Sequence, residues 1–191
     1  MRLLLVAYPG AGKGTQATRL AAHYGVALLS SGELLRAEVD RGTRIGKAAA
    51  DYLRRGDLVP DGLVLEVLSS PLLEAAKSGG FVLDGFPRTL SQAEAAYALA
   101  KDNDVELQAV VYLRVGHDEL VRRLRARADR EGRTDDGAST IAHRFTVFET
   151  QTEPLLAFYD RRGILLAIDG EKPVGDVFVD ITTAVDSLLG L

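Results

Sequence analysis

The chain has 191 residues, no cysteine and a formal net charge of -4, with 47% hydrophobic and 26% charged residues. A chain this long buries roughly 70% of its unfolded surface, so it needs no covalent or metal staple, and the lack of cysteine excludes disulfides and thiolate metal sites. The acidic balance argues against a general attraction to nucleic acid, and no apolar run is long enough to span a membrane. In chain order, residues 3–6 form a continuous apolar run that reads as a strand covered on both faces. Residues 15–24 follow as a helix with Leu20 and Ala21 on one side, and residues 26–29 read as a second strand. Residues 30–59 hold two short helical patterns, with Gly42, Gly46 and Gly56 expected as breaks. Residues 63–76 repeat leucine at helical spacing, 81–83 form a third strand and 90–101 a helix. A fourth strand at 109–113 precedes a helix at 118–129 and a polar segment at 128–137. The remainder reads as one long helix at 139–161, a strand at 164–168 and a last helix at 174–188.

Strands alternating with helices predict an α/β protein with a parallel sheet, and ligands then bind beyond the carboxyl ends of the strands. No internal repeat or low-complexity tract divides the chain, so residues 1–191 are expected to form one domain. Residues 1–6 enter a strand directly, without the order of a secretory signal, and a cytoplasmic location is the expectation. No feature points to an obligate interface, so a monomer is expected.

The strongest local signal is Pro9-Gly10-Ala11-Gly12-Lys13-Gly14-Thr15, placed between the first strand and the first helix. That context is the one a phosphate-binding loop requires. Small residues let backbone N–H groups converge on an anion at a helix N-terminus, and Lys13 adds a full charge that can follow a moving phosphoryl group. The generic pattern has glycine where this chain has Ala7, and Gly14 separates Lys13 from Thr15.

Asp84 follows the third strand, where phosphates should lie. A carboxylate there needs a cation between itself and phosphate, which magnesium would supply; the alternative is a turn-forming role beside Gly85. Arg88, after Pro87, either projects into the same cleft as a bidentate phosphate donor or lies on the surface. Ser30 with Glu33, and Thr89 with Gln92, both fit helix capping boxes. Ser31 is free to donate to a base or phosphate, and Gln92 can also offer a donor and an acceptor to adenine. Arginines crowd residues 122–133, and Arg123 and Arg127, four apart, share a helix face. Such a cluster on an acidic chain suggests a small anionic ligand. Arg122, Arg125, Arg130, Arg161 and Arg162 are read as solvent-facing, and His23, His117 and His143 as surface or helix residues.

Gly12-Lys13-Gly14-Thr15-Gln16 is similar to the phosphate-loop variant of nucleoside monophosphate kinases. Ser30-Ser31-Gly32-Glu33-Leu34-Leu35-Arg36 resembles that family's monophosphate-binding helix start. Asp84-Gly85-Phe86-Pro87-Arg88-Thr89-Leu90-Ser91-Gln92 resembles its signature after the third strand. With Gly56-Asp57-Leu58-Val59-Pro60-Asp61 and Gly132-Arg133-Thr134-Asp135-Asp136, the chain resembles adenylate kinases of the short-lid form from end to end.

The resemblance implies a P-loop parallel five-stranded sheet in the order 2-3-1-4-5 with helices on both faces. It also implies a mobile monophosphate-binding flap at 30–59 and a short lid at 127–137, without the zinc ligands of some long lids. The implied reaction is reversible transfer from MgATP to AMP, giving two ADP. The ATP side would use Gly10, Ala11, Gly12, Lys13, Gly14, Thr15, Arg123, Arg127 and Lys172, with Asp84 holding magnesium through water. The AMP side would use Ser31, Arg36, Asp57, Leu58, Val59, Gly85, Phe86, Pro87, Arg88, Gln92, Arg133 and Arg144. Lys13, Arg88, Arg123, Arg133 and Arg144 would surround the phosphoryl group in flight. Ser31 stands where adenylate kinases usually carry threonine. The rival readings are a kinase of this fold acting on GMP or UMP, and a nucleotide-binding sensor with little turnover, hinted at by Ala7.

Overall fold

A computed structural model of the chain describes residues 1–131 and 138–191, and not the side chains of residues 130, 131 and 138. Five parallel strands, β1 (Arg2–Ala7), β2 (Ala27–Ser30), β3 (Phe81–Asp84), β4 (Ala109–Arg114) and β5 (Leu165–Asp169), lie in the order β2-β3-β1-β4-β5. Successive residues of β1 point to opposite faces, yet Leu3 and Leu4 are both 0% exposed, so the sheet is covered on both sides. Leu3, Leu5 and Ala7 join one core cluster, and Leu4 and Val6 join the other. Burying each such leucine is worth about 2 kcal/mol, which makes this apolar run the anchor of the fold.

The first face carries α1 (Lys13–Tyr24), α6 (His117–Glu131), α7 (Ala138–Val147) and α9 (Val174–Leu189). The second carries α2 (Ser31–Asp40), α3 (Arg44–Arg55), α4 (Asp61–Lys77), α5 (Leu90–Lys101) and α8 (Pro154–Asp160). β1 lies between β3 and β4, so successive crossovers leave it in opposite directions and open a crevice at its carboxyl end. Among the described residues no helix is long and apolar enough to cross a membrane.

Two expectations need correction. Gly46 does not break a helix: it lies inside α3, where a Cβ would come within 2.0 Å of the Glu38 carbonyl oxygen. It is the point at which α3 crosses α2 almost backbone to backbone; the break between them falls at Gly42, as expected, at positive φ (64°), followed by Thr43, whose hydroxyl caps α3 at the Gly46 N–H. The single helix expected over 139–161 is interrupted by a wide π turn at Phe148–Thr152. Pro154 has no N–H for a helix interior, so it opens the new helix α8 instead, while Phe148 and Thr152 point into the core.

Candidate active site

The loop after β1 turns on Gly10 and Gly12, both at positive φ (89° and 88°), a backbone that other residues rarely adopt. Gly12 is the N-cap of α1 and supplies no side chain to its first turn, so the N–H groups there face the cleft without a competing cap. Ala7, by contrast, is a paired residue at the end of β1, opposite Leu113, with its methyl group in the core. Its place requires no glycine.

Beyond the carboxyl ends of β1, β3 and β5 lies a cleft of about 930 Å³, a size suited to a nucleotide. Lys13 reaches across its floor, with Nζ 3.1 Å from Asp84 Oδ1. Arg36, Arg88, Arg123, Arg127 and Arg144 all line the same cleft, and Thr15 stands at the start of α1. Arg123 is held from two sides: Nε donates to Glu119 Oε1 at 2.6 Å and Nη1 donates to the Gly170 carbonyl at 3.0 Å. That second bond ties α6 to the turn after β5. Arg122 donates twice to Glu119, and together Arg122 first and Arg123 second hold the Glu119 carboxyl down to about 2. Arg122 is exposed, as its sequence suggests, but it sits on the rim of the cleft.

The turn after β3 is organised around one carbonyl. Gly85 O accepts from Ser31 Oγ and from Arg88 Nε, each at 2.7 Å. Burial draws the Arg88 guanidinium below its usual pKa; Asp84 opposes this and the charge of Arg36 adds to it. A guanidinium starts so high that it stays charged. Repulsion between Arg36 and Arg88 leaves this corner suited to an anion. The N-cap half of each expected box forms, Ser30 Oγ accepting from the Glu33 N–H and Thr89 Oγ1 from the Gln92 N–H, but Gln92 Oε1 accepts from the Arg88 N–H rather than closing a box on Thr89.

A second, smaller space of about 30 Å³ is lined by Ser31, Asp57, Leu58, Val59, Phe86 and Gln92. It has room for about two waters. A further space of about 80 Å³, with Pro87, Arg88 and Arg144 in its wall, shares Leu58 and Gly85 with this one and Lys13 with the larger cleft. Asp57 pairs with Arg55 at 2.8 Å and with His143 at 2.6 Å, so the end of α3 is fastened to α7. His143 is thus on the surface but linked to the site. Lys172 contributes to the cleft wall while its ammonium pairs with Asp180 on α9, 2.7 Å away. Arg133 lies outside the described residues.

The sequence gives no individual role to four neighbours, two of them, Gln16 and Asp61, lying inside its motifs. Glu119 was detectable as the residue four before Arg123 on one helix. Gln16 is 3% exposed and bridges to the Val174 carbonyl at 3.0 Å; Tyr8 stacks on Phe148 with ring centroids 4.0 Å apart. Asp61 bonds Gln92, from which 31 residues separate it, a pairing without a local signal.

The donor set also suits magnesium. Asp84 and Thr15 offer hard oxygens on the cleft. Magnesium keeps several waters and phosphate oxygens, so a sparse protein contribution is what it takes.

A family model described as adenylate kinase matches residues 5–164. The chain is 44% identical to an adenylate kinase of Thermobifida fusca over 98% of its own length and 99% of the relative's. It is 48% identical to one from a Synechococcus species over 96% and 98% of the two chains, and 45% identical to one from Thermus thermophilus over 93% and 92%. With the phosphate loop, the strand order and these matches spanning nearly the whole sequence, the chain belongs to the adenylate kinase family.

Proposed function

We propose that this chain catalyses reversible phosphoryl transfer from MgATP to AMP, giving two ADP. The observation that carries the reading is one cleft on which the phosphate loop and Asp84 meet arginines from separate elements, Arg36, Arg88, Arg123 and Arg144. Phosphoryl transfer spreads charge over the moving oxygens and needs positioned cations rather than a nucleophilic side chain.

ATP would lie over Gly10, Ala11, Gly12, Gly14 and Thr15, with its phosphates on the N–H groups of the loop. Lys13, now beside Asp84, would turn to the phosphate being moved. Arg123, braced by Glu119 and Gly170, and Arg127 would hold the same chain of phosphates, with the turn at Lys172 beside the base. AMP would take Ser31, Arg36, Gln92 and the stretch from Asp57 to Val59, its phosphate meeting Arg88 and Arg144 opposite the loop. The helix pair within residues 30–59 serves as the closing flap and residues 127–137 as the lid, with Arg133 on it. Closure keeps water from intercepting the phosphoryl group. Asp84, through water, and Thr15 would hold magnesium, which would supply neutralisation of phosphate charge. We further infer a cytoplasmic monomer whose partners are these nucleotides.

The test is ADP formation from MgATP with AMP, GMP, UMP or CMP offered separately. Rapid turnover with AMP alone is expected. Turnover with another acceptor instead would keep the fold and overturn the adenine reading. The sensor reading loses its ground, because Ala7 is an ordinary strand residue.

A further inference from the structure

Gln92 has a donor end and an acceptor end, and which end points where decides which base it accepts. Its side chain is buried, and both ends are already engaged by the protein. Oε1 accepts from the Arg88 backbone N–H at 2.7 Å, and Nε2 donates to Asp61 Oδ1. A backbone N–H can only donate and an ionised carboxylate can only accept. The two partners therefore agree on one amide orientation, independent of any assignment of hydrogen positions. Turned over, the amide would set its NH2 against the Arg88 N–H and its carbonyl against the Asp61 carboxylate, exchanging two bonds for two repulsions.

Each end retains one unused capacity, a lone pair on Oε1 and an N–H on Nε2, and Gln92 lines the small pocket beside Ser31 and Val59. A 6-aminopurine offers an amino donor next to a ring acceptor, which matches that pair. A 6-oxopurine offers an oxygen acceptor next to a ring N–H, which matches only the overturned amide. A glutamine free to turn would take either.

We propose that Asp61 is a positioning residue that locks Gln92 in the orientation accepting a 6-aminopurine monophosphate and rejecting a 6-oxopurine one. The proposal rests on Gln92 reading the acceptor base. Asp61 is the first residue of α4, and as an acid in the first turn it also favours the helix dipole. A purely structural role would follow from that alone, and the test separates the two.

The experiment measures dissociation constants of AMP and IMP by titration calorimetry, with KM for MgATP and a melting temperature, in the wild type, Asp61→Asn, Asp61→Ala and Gln92→Ala. Asn at 61 keeps the shape of the helix start but can turn to match either glutamine orientation; Ala removes the partner altogether. The preference for AMP over IMP should fall about tenfold in both variants, with KM for MgATP unchanged. AMP and IMP weakened in equal proportion, with the preference intact, would overturn the proposal and leave Asp61 a helix-start residue. Gln92→Ala should erase the preference. Retention of the wild-type preference in Gln92→Ala would instead sink the reading of Gln92 itself, whatever Asp61 does.

Discussion

The two sides of the cleft are built from different materials. On the proposed reading the donor side rests on backbone: a glycine loop at the end of β1 presents N–H groups to the shared cleft of about 930 Å³, braced from α6 by Arg123. On the same reading the acceptor side is a network of side chains: Ser31, Gln92 and Asp57 line a space of about 30 Å³, Ser31 bonds the Gly85 carbonyl and Asp61 bonds Gln92. A phosphate is the same in every nucleotide, so a rigid backbone cradle suffices for it. A base must be told from other bases, which takes oriented side-chain groups. For a purine to bind there as proposed, the acceptor side must also open, because a space for about two waters admits it only if α2 and α3 or the side chains move.

Lys13 stands where the two sides meet, so its loss should strike the transfer between them and neither binding side alone. Lys13→Met should lower kcat by roughly 10²- to 10³-fold while circular dichroism and melting stay close to wild type, because on the proposed reading the charge it removes serves the transferring group. AMP and ATP should still bind. A folded variant with undiminished kcat would remove Lys13 from the transfer step.

Gly46→Ala should act on one side only. Its Cβ would meet the Glu38 backbone, so α2 and α3 must part. Overpacking of this kind costs about 1–3 kcal/mol. KM for AMP should rise several-fold and the melting temperature fall by a few degrees, with KM for ATP unchanged. An equal rise for both nucleotides would mean that the two sides are not mechanically separate.

How far each side is legible in the sequence follows from the same contrast. The donor loop is local: strand, small residues, lysine and helix follow one another, and glycine at a left-handed position leaves its mark in the letters. The strands are also readable, because residues buried on both faces give unbroken apolar runs such as the one at Leu3, Leu4 and Leu5. The acceptor network joins residues distant in the chain. Nothing near Gln92 announces Asp61, and nothing near Asp57 announces His143. Gly46 misleads for a related reason: glycine permits a turn, but it also permits close helix crossing, and only the packing of α2 on α3 distinguishes them. The break before α8 is written in Pro154, yet the helical period on either side of it masks the turn.

The smallest effect tests the fastening of the acceptor side to α7. Arg55 first, and His143 second, hold the Asp57 carboxyl below its ordinary value of 3.8. A group whose folded pKa is depressed stabilises the fold above its unfolded pKa and loses that contribution as the pH falls through the folded value. The wild type should therefore melt slightly above Asp57→Asn at pH 6, and the two should converge as the pH is lowered below about 4. Both partners of Asp57 are largely exposed, so solvent screens the pairs and the gap at pH 6 should be roughly a degree. It should shrink further in high salt, since the pairs lie within reach of counterions. The fastening also joins the acceptor side to the helix that carries Arg144, so the variant should bind AMP slightly differently and ATP the same. A gap that widens on acidification would mean that Asp57 is not held ionised by its partners, and that the end of α3 is fixed to α7 by packing alone.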